Sequence, residues 1–214
     1  MLKTRIDQKQ TFKRILKPSD SIFKHKPLLY GTLAIFLYVG AEVSIGSFLV
    51  NFFAESHIGG LSEHDASKMV SYFWGAAMIG RFIGAALMRV IKPTFLLASN
   101  SVMVILLITL TINSEGSVAM WAIISVGLFN SIMFPTIFTL AIRGLGPLTG
   151  RGSGLLCQAI VGGAILPMIQ GVAADMTSVQ ASFIVPAFAY IYIAWYALKG
   201  SNQTVNEPAI KAQA

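Results

Sequence analysis

The hydrophobic positions of this 214-residue chain fall into six long blocks, at residues 28–53, 69–88, 93–112, 118–142, 152–174 and 181–198, separated by short polar stretches. Each block is close to the ~20 residues that an α-helix needs to cross ~30 Å of hydrocarbon at ~1.5 Å per residue. Strict alternation of apolar and polar positions is absent, which excludes a transmembrane β-barrel. The pattern predicts an all-α membrane protein: a six-helix transmembrane bundle over 28–198, preceded by a basic segment at 1–27 and followed by a polar tail at 199–214.

Composition supports lipid as the solvent. Apolar residues make up 55% of the chain and charged residues 12%, about half the ~25% charge of an ordinary soluble domain. The net charge of +7 would suit a nucleic-acid binder. Most of the basic residues, however, crowd beside the first apolar block without interleaved aromatic residues, as in a cytoplasmic juxtamembrane segment. No nucleic-acid partner is expected. Residues 1–27 hold no apolar signal-peptide core, so the chain is expected to enter the membrane through its own first helix. Leu2, Ile6, Ile15 and Leu16 give that segment a patchy helical spacing, compatible with a solvated linker or with an amphipathic surface helix.

Loop charge sets the orientation. With the N-terminus inside, the inner segments hold fourteen of the sixteen Lys and Arg residues, and only Lys68 and Arg81 remain, both on the second span. The outer loops hold Glu55, Glu63, Asp65, Glu115 and Asp175 with no Lys or Arg. The positive-inside rule then places both termini in the cytoplasm. Tyr72, Phe73, Trp74 and Trp121 near one interface, and Tyr192, Trp195 and Tyr196 near the other, fit an aromatic belt.

Few groups inside the blocks carry chemistry. Glu42 falls near the midpoint of the first, where a carboxylate costs a few kcal/mol unless it is protonated, paired or facing water. It is the candidate for cation coupling; a structural hydrogen bond to a neighbouring helix is the alternative. Ser44, Ser47 and Asn51 add an unusual density of polar groups nearby. At 100° per residue, Ser44 and Asn51 share one face while Tyr38, Glu42 and Leu49 share the opposite one. Either the helix is irregular near Gly46 or one set packs against neighbours.

In the fourth block, Pro135 lacks an N–H and frees the Ser131 carbonyl four residues earlier. With Asn130 this makes a polar spot at mid-depth that would suit sugar hydroxyls or an interhelical amide bond. In the fifth, Gln158 lies on one stripe with Gly154, Gly162 and Ile165, and Pro167 frees the Gly163 carbonyl. Arg81 is expected to anchor the second span by snorkelling or pairing, and Ala76, Gly80 and Gly84 at four-residue spacing allow close helix approach.

Nucleophile elbows, zinc-protease motifs, phosphate loops and dinucleotide fingerprints are all absent from the sequence, so no catalytic residue or enzyme activity is expected. Cys157 is the single cysteine, and His25, His57 and His64 are scattered in loops, so no metal site is expected either.

The run from Tyr38 to Asn51, YVGAEVSIGSFLVN, resembles the seventh helix of the fucose/glucose/galactose:cation symporter family of the major facilitator superfamily. The segment GRFIG at 80–84, FNSIMFPTIFTL at 129–140, GSGLL at 152–156 and IVGGAILP at 160–167 continue the likeness, which covers about residues 22–200. The superfamily loop signature Gly-x-x-x-Asp-Arg is degenerate at 84–89, with Met88 in place of the aspartate, while 171–175 keep the Gly-x-x-x-Asp spacing.

The resemblance implies half of a twelve-helix transporter, the C-terminal six-helix bundle. In the family, sugar binds at the midplane between two bundles that rock against each other. It also implies a sugar substrate of hexose type, H+ or Na+ as coupling ion, no other cofactor and a location in the cell (inner) membrane. The second bundle would be a missing N-terminal half or a second copy of this chain. Glu42, Asn51, Asn130 and Gln158 are the candidate cavity residues, and Arg81, Gly80, Gly84, Pro135 and Pro167 the structural ones. The rival expectation is a truncated or split fragment that inserts without transporting, or that acts as an interaction partner or homodimer.

Overall fold

Pro27, in the first turn of a helix where its missing N–H is not needed, opens the longest element, α1 (Lys26–Ala54). The computed structural model describes residues 21–202; the surface segment expected at 1–20 and the tail at 203–214 lie outside the described residues. After α1 come α2 (Glu63–Leu87), α3 (Pro93–Asn113), α4 (Gly116–Asn130), α5 (Met133–Ala141), α6 (Thr149–Gln158), α7 (Gly162–Met176), the short α8 (Val179–Ser182) and α9 (Ile184–Leu198). There is no strand among the described residues. Taken with their joining turns, these make six segments long and apolar enough to span a bilayer: Lys26–Ala54, Glu63–Leu87, Pro93–Asn113, Gly116–Ala141, Gly146–Met176 and Val179–Leu198.

The ends of these helices follow from local chemistry. α2 starts six residues before its apolar block because Ser62 caps it: its Oγ accepts from the Asp65 N–H at 3.2 Å and donates to Asp65 Oδ2 at 2.9 Å. Lys68 Nζ then donates to Asp65 Oδ1 at 2.9 Å. Between α3 and α4, Gly116 adopts a φ of +60°, open to glycine at little cost, and its N–H donates to the His57 carbonyl at 3.0 Å. Gln180 Nε2 completes that corner by donating to the carbonyls of Thr111 (2.8 Å) and Ser114 (2.7 Å).

α1 is the central helix, packed against α2, α5, α7 and α9, while α3 lies against α4 and α9. Tyr38, Ile45, Leu49, Phe52 and Phe53 of α1 are buried, and Phe52 meets Phe183 edge-on at 5.2 Å. The outside is as greasy as the inside: Phe82, Val90 and Met168 are all more than 70% exposed. In lipid such faces cost nothing, and helices associate through close packing and interior polar contacts instead. Most hydroxyls on these helices bond back to their own turn, as Ser101 does to Leu97 (2.8 Å) and Ser125 to Trp121 (2.7 Å), and are spent there.

At the N-terminal end of α1, His25 precedes the helix and its Nε2 lies 3.2 Å from the Arg143 carbonyl, tying the entry turn to the segment after α5. Burial, opposed by that carbonyl, holds His25 below the ordinary imidazole value. The folded site therefore resists a proton that the undocked chain accepts. Its contribution is complete above about pH 6.5 and is lost as pH falls below it. A spin label at the exposed Phe23, in a Cys157→Ser background, is expected to become more mobile between about pH 7.5 and about pH 5.5. His25→Gln, which donates without titrating, should remove that change.

Candidate functional site

The fourth span breaks at its middle. α4 ends at Asn130, Ser131 and Ile132 form a turn, and α5 restarts at Met133, with Pro135 in its first turn. Proline has no N–H to return to the Ser131 carbonyl, and the break answers that deficit. Side chains hold the carbonyls at the end of α4. Ser131 Oγ donates to the Leu128 carbonyl at 3.0 Å, Asn100 Nδ2 of α3 to Phe129 at 3.0 Å, and Tyr38 Oη of α1 to Asn130 at 2.9 Å.

Tyr38 also reaches Glu42, one turn along the same helix, with Oη 2.8 Å from Glu42 Oε1. Glu42 is half-buried, whereas Tyr38 and Asn130 are buried. From α9 the buried Tyr190 hydroxyl approaches the Asn130 amide and lies within electrostatic reach of Glu42. It completes no hydrogen bond of normal geometry there: Tyr190 Oη and both polar atoms of the Asn130 amide are buried without a partner among the described residues. Glu42, Tyr38, Asn130 and Tyr190 thus form one polar cluster between α1, α4 and α9.

α1 is a continuous helix past Gly46, and polar groups on the same face of it differ in burial along its length. Ser44 is buried with its Oγ unpartnered, while Ser47 and Asn51 are exposed. Asn51 stands nine residues beyond Glu42, about 13 Å along the axis. Gln158 is exposed at the C-terminal end of α6, and no hydrogen bond among the described residues joins it or Asn51 to the Glu42 cluster. A 3-10 turn at Ala159–Val161 follows Gln158 before α7 resumes, and Pro167 sits inside α7.

Arg81 is exposed and makes no ion pair among the described residues, although it lies within electrostatic reach of Glu42 and Tyr38. Its depth is set by its neighbour: a Cβ at Gly80 would collide with the Leu128 carbonyl and lie 2.7 Å from Ser131 Oγ, and one at Gly84 would collide with Ile132. Arg81 therefore leaves α2 level with the break in the fourth span.

Three members of this site do not stand out in the sequence. Tyr38 is visible there only as a residue on the Glu42 face, although a tyrosine four residues before a buried acid is a natural hydrogen-bond partner. Tyr190 lies in a run of aromatic residues that reads as packing, and Asn100 at the first turns of α3 has no distinguishing neighbour. Their roles come from tertiary contacts across 92, 60 and 29 positions of sequence.

No family model matches the chain. It is 53% identical over 186 residues to the glucose/galactose transporter of Brucella abortus (strain 9-941), a match covering 87% of this chain and 45% of that protein. It is 29% identical over 178 residues to the L-fucose-proton symporter of Escherichia coli (strain K12), covering 83% and 40%. The crystal structure of the major facilitator superfamily transporter FucP in its outward conformation superposes with a TM-score of 0.80 at 29% identity, over 84% of this chain and 43% of that one. The chain thus spans less than half the length of each of these proteins, all named as transporters and none as an enzyme.

Proposed function

We propose that this chain, a multi-pass membrane protein with the fold of one half of a major facilitator superfamily transporter, is the C-terminal six-helix bundle of a twelve-helix sugar transporter. It carries a hexose-type sugar together with a cation, and H+ is the coupling ion favoured by the likeness to a proton symporter. The observation that carries this reading is the cluster around Glu42, an acid at mid-span, half-open on the central helix and backed by Tyr38, Asn130 and Tyr190. A carboxyl in that position can hold and release a proton as the cavity opens to one side or the other.

In this proposal Glu42 and Gln158 face the sugar cavity, and Asn51, on the opposite face of the continuous α1, does not share their wall. Asn130 supports it from behind through its carbonyl and amide, and Gly80, Gly84, Pro135 and Pro167 shape the helices around it. Both termini are cytoplasmic, as the charge of the loops supports, and the bundle resides in the inner membrane. A second six-helix bundle completes the cavity.

The test is uptake of glucose or galactose by Glu42→Gln reconstituted with an N-terminal bundle. The wild-type pair is expected to accumulate sugar along a proton gradient. The variant is expected to lose accumulation by at least tenfold while retaining exchange, because an amide holds the geometry but carries no proton. Unchanged affinity together with unchanged pH dependence would remove Glu42 from the mechanism. The rival reading is a bundle that inserts but does not transport by itself.

A further inference from the structure

Tyr38 has one hydroxyl proton and two acceptors within bonding distance: Glu42 Oε1 at 2.8 Å and the Asn130 carbonyl at 2.9 Å. A backbone carbonyl never donates, and a carboxyl donates only when it is protonated. If Glu42 is ionised, both acceptors compete for the same proton, and the charged carboxylate wins because charge-assisted bonds are about twice as strong. The Asn130 carbonyl then loses its donor. If Glu42 is neutral, its O–H donates to Tyr38 Oη and Tyr38 donates to Asn130, so both short contacts are satisfied at once.

We propose that Tyr38 is a positioning residue that converts the charge state of Glu42 into the presence or absence of a tether on the Asn130 carbonyl, so that protonation tightens the break between α4 and α5. The proton comes from water at the open side of Glu42 and returns to it; no other bond is made or broken. The proposal rests on Glu42 being the titrating group of the transport reading.

The break is a place where one hydrogen bond matters. Three side chains tie down the last carbonyls of α4, and Pro135 withholds a fourth bond. Ser131 acts within its own turn and Asn100 does not titrate, which leaves Tyr38 as the tether with an ionisable neighbour. Movement at the break would be felt by α2, because Gly80 and Gly84 lie directly on Leu128, Ser131 and Ile132. The titratable and charged groups facing Glu42 are Tyr38 on α1, Tyr190 from α9 and Arg81 from α2. α4 and α5 carry no titratable side chain, and that of α7, Asp175, stands at the helix's far end.

The experiment is hydrogen exchange of peptides covering 128–136, corrected for the intrinsic pH dependence of exchange, on the full chain in nanodiscs. It needs neither sugar nor a second bundle, so its failure and the failure of the transport reading are separate results. As pH is raised through the ionisation of Glu42, the wild type should lose about tenfold in protection, the equivalent of one hydrogen bond. Glu42→Gln, whose amide N–H donates to Tyr38 at every pH, should stay at the protected level. Tyr38→Phe should stay at the unprotected level. The opposed, pH-independent levels are what a merely structural role would not produce. Equal protection in the two variants, a pH response surviving in Tyr38→Phe, or a wild type held at the Glu42→Gln level throughout would each overturn the proposal. Should Tyr38→Phe fail to fold, the comparison of wild type with Glu42→Gln decides alone: the wild type must match it at low pH and depart from it at high pH.

Discussion

Gly162→Ala is expected to abolish the monodisperse folded protein, the largest stability effect of any single methyl added to this chain. A Cβ at residue 162 would fall on the Phe36 carbonyl oxygen, 2.7 Å from its carbon and 3.0 Å from the Phe36 Cα. These are backbone atoms of the central helix, so no rotamer change relieves the clash. α1 and α7 would have to separate, and the neighbouring contact would go with it: a Cβ at Gly40 has 2.8 Å to Leu166 Cδ2 and 2.9 Å to the Gly162 carbonyl. Overpacking of this kind costs about 1–3 kcal/mol where side chains can yield, and more where only backbone can move. In a bilayer, separating the helices forfeits their packing with no hydrophobic force to restore it. Gly80→Ala should behave similarly, since its Cβ meets the Leu128 carbonyl. Gly154→Ala is the control: nothing lies within 4 Å of its Cβ, and the better helix propensity should leave stability unchanged or raise it by up to about 1 kcal/mol. Size-exclusion profiles and thermal midpoints in one detergent check all three.

The same glycines show what can and cannot be read from a sequence of this kind. Six spans are visible because hydrocarbon demands long uninterrupted apolar runs and tolerates no unpaired backbone. The glycine spacing in GRFIG announces close approach, but not to which helix. That α2 lies on the Leu128–Ile132 turn follows only from the packed fold. Likewise Pro135 announces a defect in the fourth span, and Asn130 a polar group beside it. The sequence contains no trace of how the defect is repaired, because Tyr38 and Asn100 come from other spans and a hydrogen bond leaves no periodicity. Glu42 is conspicuous for the opposite reason: a lone carboxyl in hydrocarbon is costly wherever it lands. What its neighbours do with it is a matter of angstroms, and the split of α1 into a buried Ser44 and an exposed Asn51 depends on which helices happen to cover it.

Liposomes holding this chain alone are expected to show sugar counterflow no greater than protein-free vesicles. Co-reconstitution with the six-helix N-terminal bundle of a glucose/galactose transporter is expected to raise it by at least tenfold. Carrying a solute requires a site that is closed on one side while open on the other, and that requires two rigid bodies that can rock about the solute. Here the candidate sugar-facing groups are not enclosed: Glu42 is half-open and Gln158 is exposed at the end of α6. A sugar laid against them would keep most of its hydroxyls in water, and shallow contact of that kind supplies neither affinity nor occlusion. Supplying the opposite wall changes both at once, so the gain should be steep and selective between sugar epimers. Glu42→Gln in the completed pair should leave counterflow largely intact, since exchange needs no net proton movement, while abolishing uphill accumulation. Counterflow by the chain alone, accompanied by crosslinked pairs at native density, would replace the two-different-bundle arrangement with a homodimer whose second copy provides the missing wall. Silence from both preparations would make the chain a bundle that inserts and packs without carrying anything.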